Sequence, residues 1–212
     1  AGNAPNRMEV VGKWANTSDP ISEISTSLSG SSYDIGSEVV VLGWDPEDTH
    51  TSNFWEELAS ETLASDTTGS WGVTSFTPKK YLWVQMWGRA STDTQLRFGT
   101  GGTTDTGTSY AARMSSNGGS DTTDPNATHT QLGSFINSNR GYANMFIINN
   151  SAKEKLVIQH DTNSATGAAT APSRTERVGK WTNTSGQIDT IKFEHASATW
   201  YAGCTMKVWG SD

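Results

Sequence analysis

A chain of 212 residues, one third of them hydrophobic, with a net charge of −7 is long enough to bury a core. Its Lys and Arg residues gather into no basic patch, which argues against nucleic acid or an anionic membrane as a partner. No apolar run reaches the length of a membrane-spanning helix and no charged-then-apolar leader is read, while the single cysteine, Cys204, excludes an internal disulfide and a multi-thiolate metal site.

Plentiful Gly, Ser, Thr and Asn together with nine Trp favour short strands joined by polar turns. In chain order, "VVGKW" (10–14) reads as a strand, "NTS" (16–18) as a turn, "ISEISTSL" (21–28) as a second strand and "EVVVLGW" (38–44) as a third, with Gly36 just before it. The one helical candidate is 45–57, where Asp45 suits a cap, Pro46 the first helical position and Glu47 and Asp48 the first turn. "HTSN" interrupts it and "EELASETL" (56–63) reads equally as a strand, so at most a short helical turn is expected.

"KYLWVQMWGRA" (80–90) alternates, with Leu82, Val84 and Met86 on one face and Tyr81, Trp83, Gln85 and Trp87 on the other. Both faces are bulky, so this strand is expected to be covered on both sides or to lie at an interface. "QLRFGT" (95–100) and "SYAARMS" (109–115) add two strands. "NMFIINN" (144–150) and "KLVIQHD" (155–161) flank the turn "SAKE" as an antiparallel hairpin. "RVGKW" (177–181), "IDTIKFEH" (188–195) and "TMKVWGS" (205–211) close the chain. Eight or more strands without intervening helices predict an all-β fold, an antiparallel jelly-roll-like β-sandwich.

The two ends of the chain are related. Residues 4–45 lie over 171–212 without a gap and match at 17 of 42 positions. "APNRMEVVGKWANTS" faces "APSRTERVGKWTNTS", Ile21 and Ile24 face Ile188 and Ile191, and Gly36 faces Gly203. The period is that of a whole domain rather than the 20–50 residues of a small-unit repeat. The chain therefore divides into 1–45, the C-terminal part of a repeat, and 46–212, a complete domain. Some three strands cannot bury a core alone, so 1–45 is expected to be completed by a preceding body or by another subunit through strand donation.

The phrases "WDPEDTHTSNFWEELASETL", "KKYLWVQMW", "TTDTGTSYAARMSSNGG", "NMFIINNSAKEKLVIQH", "APSRTERVGKWTNTS" and the closing "VWGSD" resemble a module of virion structural proteins in marine tailed bacteriophages, including cyanophages, where it occurs in tandem. The likeness covers nearly all of 46–212, and its tail end recurs in 1–45. It implies a non-enzymatic jelly-roll-like unit at the virion surface, in a fibre, an appendage or a capsid decoration. Other virion proteins and further copies of the chain would be its partners. The resemblance supplies no catalytic residue.

Nothing in the residues marks catalysis. His50, His129, His160 and His195 never fall in metal-ligand spacing, and His160–Asp161 reads as a polar pair at a strand end. "GTGGTTDTG" (99–107) lacks the Lys of a phosphate loop and reads as a turn. Asp105, Asp121 and Asp124, in loops rich in Thr and Gly, are candidates for Ca²⁺; no other cofactor is expected. Cys204 reads as a small buried strand residue, since its counterpart is Ser37. Trp200, Tyr201 and Tyr33 are candidates for contact with a glycan or a protein, or for covering the core edge. They support an alternative reading, a glycan-binding adhesin for the host surface. Asn16 and Asn183 are formally sequons, but an Asn that shapes its turn is the plainer account.

Overall fold

The computed structural model describes residues 3–7, 14–41, 54–92, 94–133, 135, 140–163 and 168–212. The chain divides into two compact units: Ala1–Arg7 with Asn53–Asp212, and Met8–Ser52.

The larger unit carries β1 (Glu56–Thr62), β2 (Thr67–Val73), β3 (Tyr81–Gly88), β4 (Thr94–Thr100), β5 (Thr103–Thr104), β6 (Tyr110–Ser116) and β7 (Thr122–Ala127). There follow β8 (Thr130–Leu132), β9 (Gly141–Ile148), β10 (Lys155–Asn163), β11 (Arg174–Trp181), β12 (Thr190–Trp200) and β13 (Thr205–Ser211). One sheet has eight strands in the order β1-β13-β3-β9-β10-β11-β6-β7. The other has β2-β12-β4-β5, with β8 also paired to β4. All the ladders are antiparallel. β1 to β4 alternate between the sheets, and so do β11, β12 and β13. The result is an antiparallel β-sandwich, as the strand pattern predicts.

The core lies between the two sheets. From the larger sheet, Leu82, Val84 and Met86 of β3 meet Ala143, Met145 and Ile147 of β9 and Met206 and Val208 of β13. From the smaller come Trp71, Leu96, Phe98, Ile191, Phe193 and Trp200, and all of these are buried. Each fully buried large apolar side chain contributes about 1.5–3 kcal/mol relative to exposure. The β9–β10 hairpin forms where the alternation places it, with Phe146 opposite Ile158. The stretch 56–62 is strand rather than helix; 45–53 lies outside the described residues.

β11, β12 and β13 are the three strands of the repeated segment, and each is interior to its sheet. Trp181 ends β11, and its indole Nε1 donates to Asp105 Oδ2 at 2.8 Å. Asn183 then turns the chain: its Oδ1 accepts from the backbone N–H of Ser185 at 2.8 Å and of Gly186 at 3.0 Å. Between β12 and β13, Cys204 N donates to Tyr201 O at 3.2 Å, and Gly203 sits at φ +82°, a left-handed conformation that suits Gly.

Within the smaller unit, residues 14–41 contain no strand. This corrects the expectation of strands at 21–28 and 38–41. Strands need a neighbouring ladder to satisfy their N–H and C=O groups, and this segment pairs with none. The turns are nevertheless those of the complete copy. Asn16 Oδ1 accepts from Ser18 N at 2.8 Å and Asp19 N at 3.3 Å, Ser37 N donates to Asp34 O at 3.0 Å, and Gly36 sits at φ +88°. Residues 10–13 and 42–44 of the expected strands lie outside the described residues.

Candidate functional site

The outer face of the eight-stranded sheet is unusually apolar. Register places Trp209 of β13, Trp83 of β3, Phe146 of β9, Ile158 of β10 and Val178 of β11 in one row across five strands. Trp83 and Phe146 stack at 5.9 Å with an interplanar angle of 11°, and Trp83 lies 4.9 Å from Trp209. Trp55 packs against both Trp83 and Phe146. A second row runs through Tyr81, Ile148 and Leu156. Phe146, Ile148, Leu156, Ile158 and Trp87 remain exposed. The bulky second face of β3 is therefore half-open rather than covered.

The inner face of the same sheet turns polar toward its β7 edge. A row of inward positions runs Val84, Met145, Gln159, Arg177, Met114, Thr122. Arg177 is only 4% exposed; its Nη2 lies 2.8 Å from Met114 Sδ and its Nε has no hydrogen-bond partner. Two residues along β10 from Gln159, the buried Asp161 accepts at Oδ2 from Gly133 N at 2.7 Å and Gln159 Nε2 at 2.8 Å. Asp161 Oδ1 and Gln159 Oε1 are unpartnered. Burial pushes the Asp161 carboxyl up to about 6, against the pull of its two hydrogen bonds and of Arg177. Burial likewise works against the Arg177 charge, offset only in part by Asp161 and Asp124.

The residues singled out from the sequence are scattered. Trp200 is fully buried, its ring 4.8 Å from Phe193 and 5.4 Å from Trp71, so its face serves the core and is closed to a sugar. Tyr201 is half-buried under the Arg89 guanidinium, 3.9 Å from its ring. Tyr33 is exposed in the smaller unit. Asp105 is a structural acceptor: burial alone would raise its pKa, but hydrogen bonds from Trp181, Gly107 and Ser109 carry it below the ordinary value. Asp121 pairs with Arg7 at 2.9 Å and Arg113 at 3.6 Å, while Asp124 lies on the edge strand β7. The three Asp proposed for Ca²⁺ do not converge. Among the described residues no group of three or more His, Cys, Asp and Glu is placed to hold a metal ion. His160 and Asp161, adjacent in β10, point to opposite faces, one exposed and one buried. Cys204 is buried, its thiol between the N–H and C=O of Arg89.

Sequence reasoning missed the Gln159–Asp161–Arg177 cluster. The signal was present as an alternation: Val157, Gln159 and Asp161 share one face of β10, and Thr175, Arg177 and Gly179 share one face of β11. No family model, no curated protein and no solved structure matches the chain.

Proposed function

We propose that the chain is a non-enzymatic virion structural protein, a fibre, appendage or capsid-decoration module built from tandem β-sandwich repeats and displayed on the particle surface. One observation carries this reading. Residues 14–41 keep the turns of 181–208, yet the side chains whose counterparts fill the core are exposed. Trp14 is 53% exposed against 1% for Trp181, and Ile24 57% against 0% for Ile191. Such a segment is built to complete a sandwich body other than the one that 171–212 completes. A chain that both contains a body and offers the closing strands of another is a link in a series. The apolar outer face of the eight-stranded sheet supports lateral association of such links into a homo-oligomer or with other virion proteins.

Gold-labelled antibody against the purified protein, applied to particles of the virus that encodes it, tests the proposal. Labelling at a fixed position on intact particles is expected. Signal confined to the soluble fraction of infected cells would refute it.

The alternative, a glycan-binding adhesin, draws on the exposed rings of Trp87 and Phe146 on that outer face, since flat aromatic faces suit sugar stacking. Binding of the protein to a host-glycan array, lost in Trp87→Ala with folding intact, would favour it over a purely structural role.

A further inference from the structure

We propose that a cavity of about 280 Å³ at the β7 edge of the sandwich binds a small hydroxylated carboxylate of the hexuronate class, with Arg177 as its anchor. The cavity is walled by Ala112 and Met114 of β6, Thr123 and Asp124 of β7, Gln131 of β8 and Arg177 of β11. It thus opens between the edges of the two sheets. Its volume falls just below the roughly 300–1,000 Å³ of drug-sized sites, which suits a single sugar ring.

The fold leaves one buried charge only partly offset. A guanidinium taken out of water needs an anion or several acceptors, because an unpaired buried charge is among the costliest features a core can hold. Arg177 has a thioether on Nη2 and nothing on Nε. Among the described residues no carboxylate lies within ion-pairing distance of it: Asp161 faces Gly133 and Gln159 instead, and keeps one oxygen unpartnered. Gln159, directly across the ladder from Arg177, spends its amide N–H on Gln131 O and Asp161 Oδ2 and leaves Oε1 bare. Three polar atoms on this stretch of the inner face are therefore without partners, and of the three residues Arg177 is the one that lines the cavity.

The chemistry of the lining chooses the ligand. The planar guanidinium of an Arg fits a carboxylate in fork geometry. Asp124 repels a second negative charge and, like the Thr hydroxyls and the Gln131 amide, serves neutral hydroxyl groups. Ala112 and Met114 offer an apolar wall to the face of a ring. A monocarboxylate carrying several hydroxyls meets all of these, whereas a phosphate or a neutral hexose meets only some. The site is also peculiar to this unit, because the residue matching Arg177 in the N-terminal copy is Val10.

The full chain, labelled with ¹³C at the methionine methyls and titrated with galacturonate, glucuronate, galactose and acetate, tests the proposal. Saturable movement of the Met114 methyl is expected with a hexuronate at millimolar affinity, at least about tenfold tighter than with galactose or acetate. Arg177→Gln should abolish the response. Because Arg177 lies in the interior, Thr122→Trp provides a second variant: Thr122 lines the cavity opposite Met114 and is exposed on β7, so a bulky ring there narrows the entrance without touching the core. It should weaken binding at least about tenfold with the unfolding midpoint unchanged. A Met114 methyl that never moves, one that responds equally to galactose, or binding that survives Thr122→Trp would each overturn the assignment.

Discussion

Residues 14–41 and 181–208 are two versions of one sentence, and they differ in everything except their punctuation. In both, an Asn side chain caps the turn after the Trp, and in both a Gly at φ near +85° turns the chain before the last strand. In one, the residues between are strands at the centre of two sheets; in the other they form no strand. Turn geometry is therefore written locally, in Asx hydrogen bonds and glycine conformation. Strand formation is not. It waits for a ladder and a covered face, and only 181–208 has both.

Taking both copies away from the body should do the most damage. Reduction to residues 46–170 deletes β11, β12 and β13 from the interior of both sheets and also takes away the N-terminal copy that could replace them in cis, and loss of any cooperative urea transition is expected. Adding a 171–212 peptide should restore the transition, and a 4–45 peptide should restore it in part. Rescue by the first and not the second would show that the two copies are not interchangeable.

Next in size is the pair of Trp residues. Trp181→Ala removes a buried ring and its hydrogen bond to Asp105, and should cost about 3–5 kcal/mol. Trp14→Ala should stay within about 0.5 kcal/mol by the same denaturation measurement.

Arg177→Val converts β11 toward the residue carried by the other copy, and its effect should appear in the pH dependence. The Asp161 carboxyl, at about 6 when folded and 3.8 as its ordinary value, holds its proton better in the folded state. It therefore favours folding fully below pH 3.8, and that contribution is lost as pH rises through 6, a change of about 3 kcal/mol. Removing the positive charge of Arg177 should push this carboxyl higher still, so that stability goes on falling above pH 6. Asp161→Asn should flatten the profile across the same range. Urea midpoints from pH 4 to 8 measure both.

The smallest contrast lies in the turns. Gly203→Ala forces a left-handed residue and should cost about 1 kcal/mol, and Asn183→Ala about the same through its lost turn hydrogen bonds. Gly36→Ala and Asn16→Ala should leave the stability of the chain unchanged and weaken only rescue by the 4–45 peptide.

The alternation of Leu82, Val84 and Met86 with Trp83 and Trp87 was legible because one period-2 pattern fixes both the element and its buried side. The hairpin at 144–161 was legible for the same reason. β7, with the sequence TTDPNA, was not, because an exposed edge strand has no apolar side to betray it. Trp200 misled as a binding candidate: a ring at a strand end looks the same in sequence whether it packs inward or outward, and contact with Phe193 on its own strand and Trp71 on the neighbouring β2 decides it. Arg177 was hidden because a charge between Glu176 and Val178 reads as a solvated face, and only the register of β11 against β6 and β10 turns it inward.

Cys204 has a use that follows from its position. Its thiol is buried at the start of β13, its pKa raised by that burial, so a closed sandwich gives a thiol reagent nothing to attack. Modification can proceed only through molecules in which β13 has momentarily come away. The rate of labelling, measured in native buffer, therefore counts those openings and gives the free energy of releasing the last strand. The counterpart in the other copy is Ser37, which is silent to such a reagent, so a single probe without any engineered residue reports on one closing strand alone.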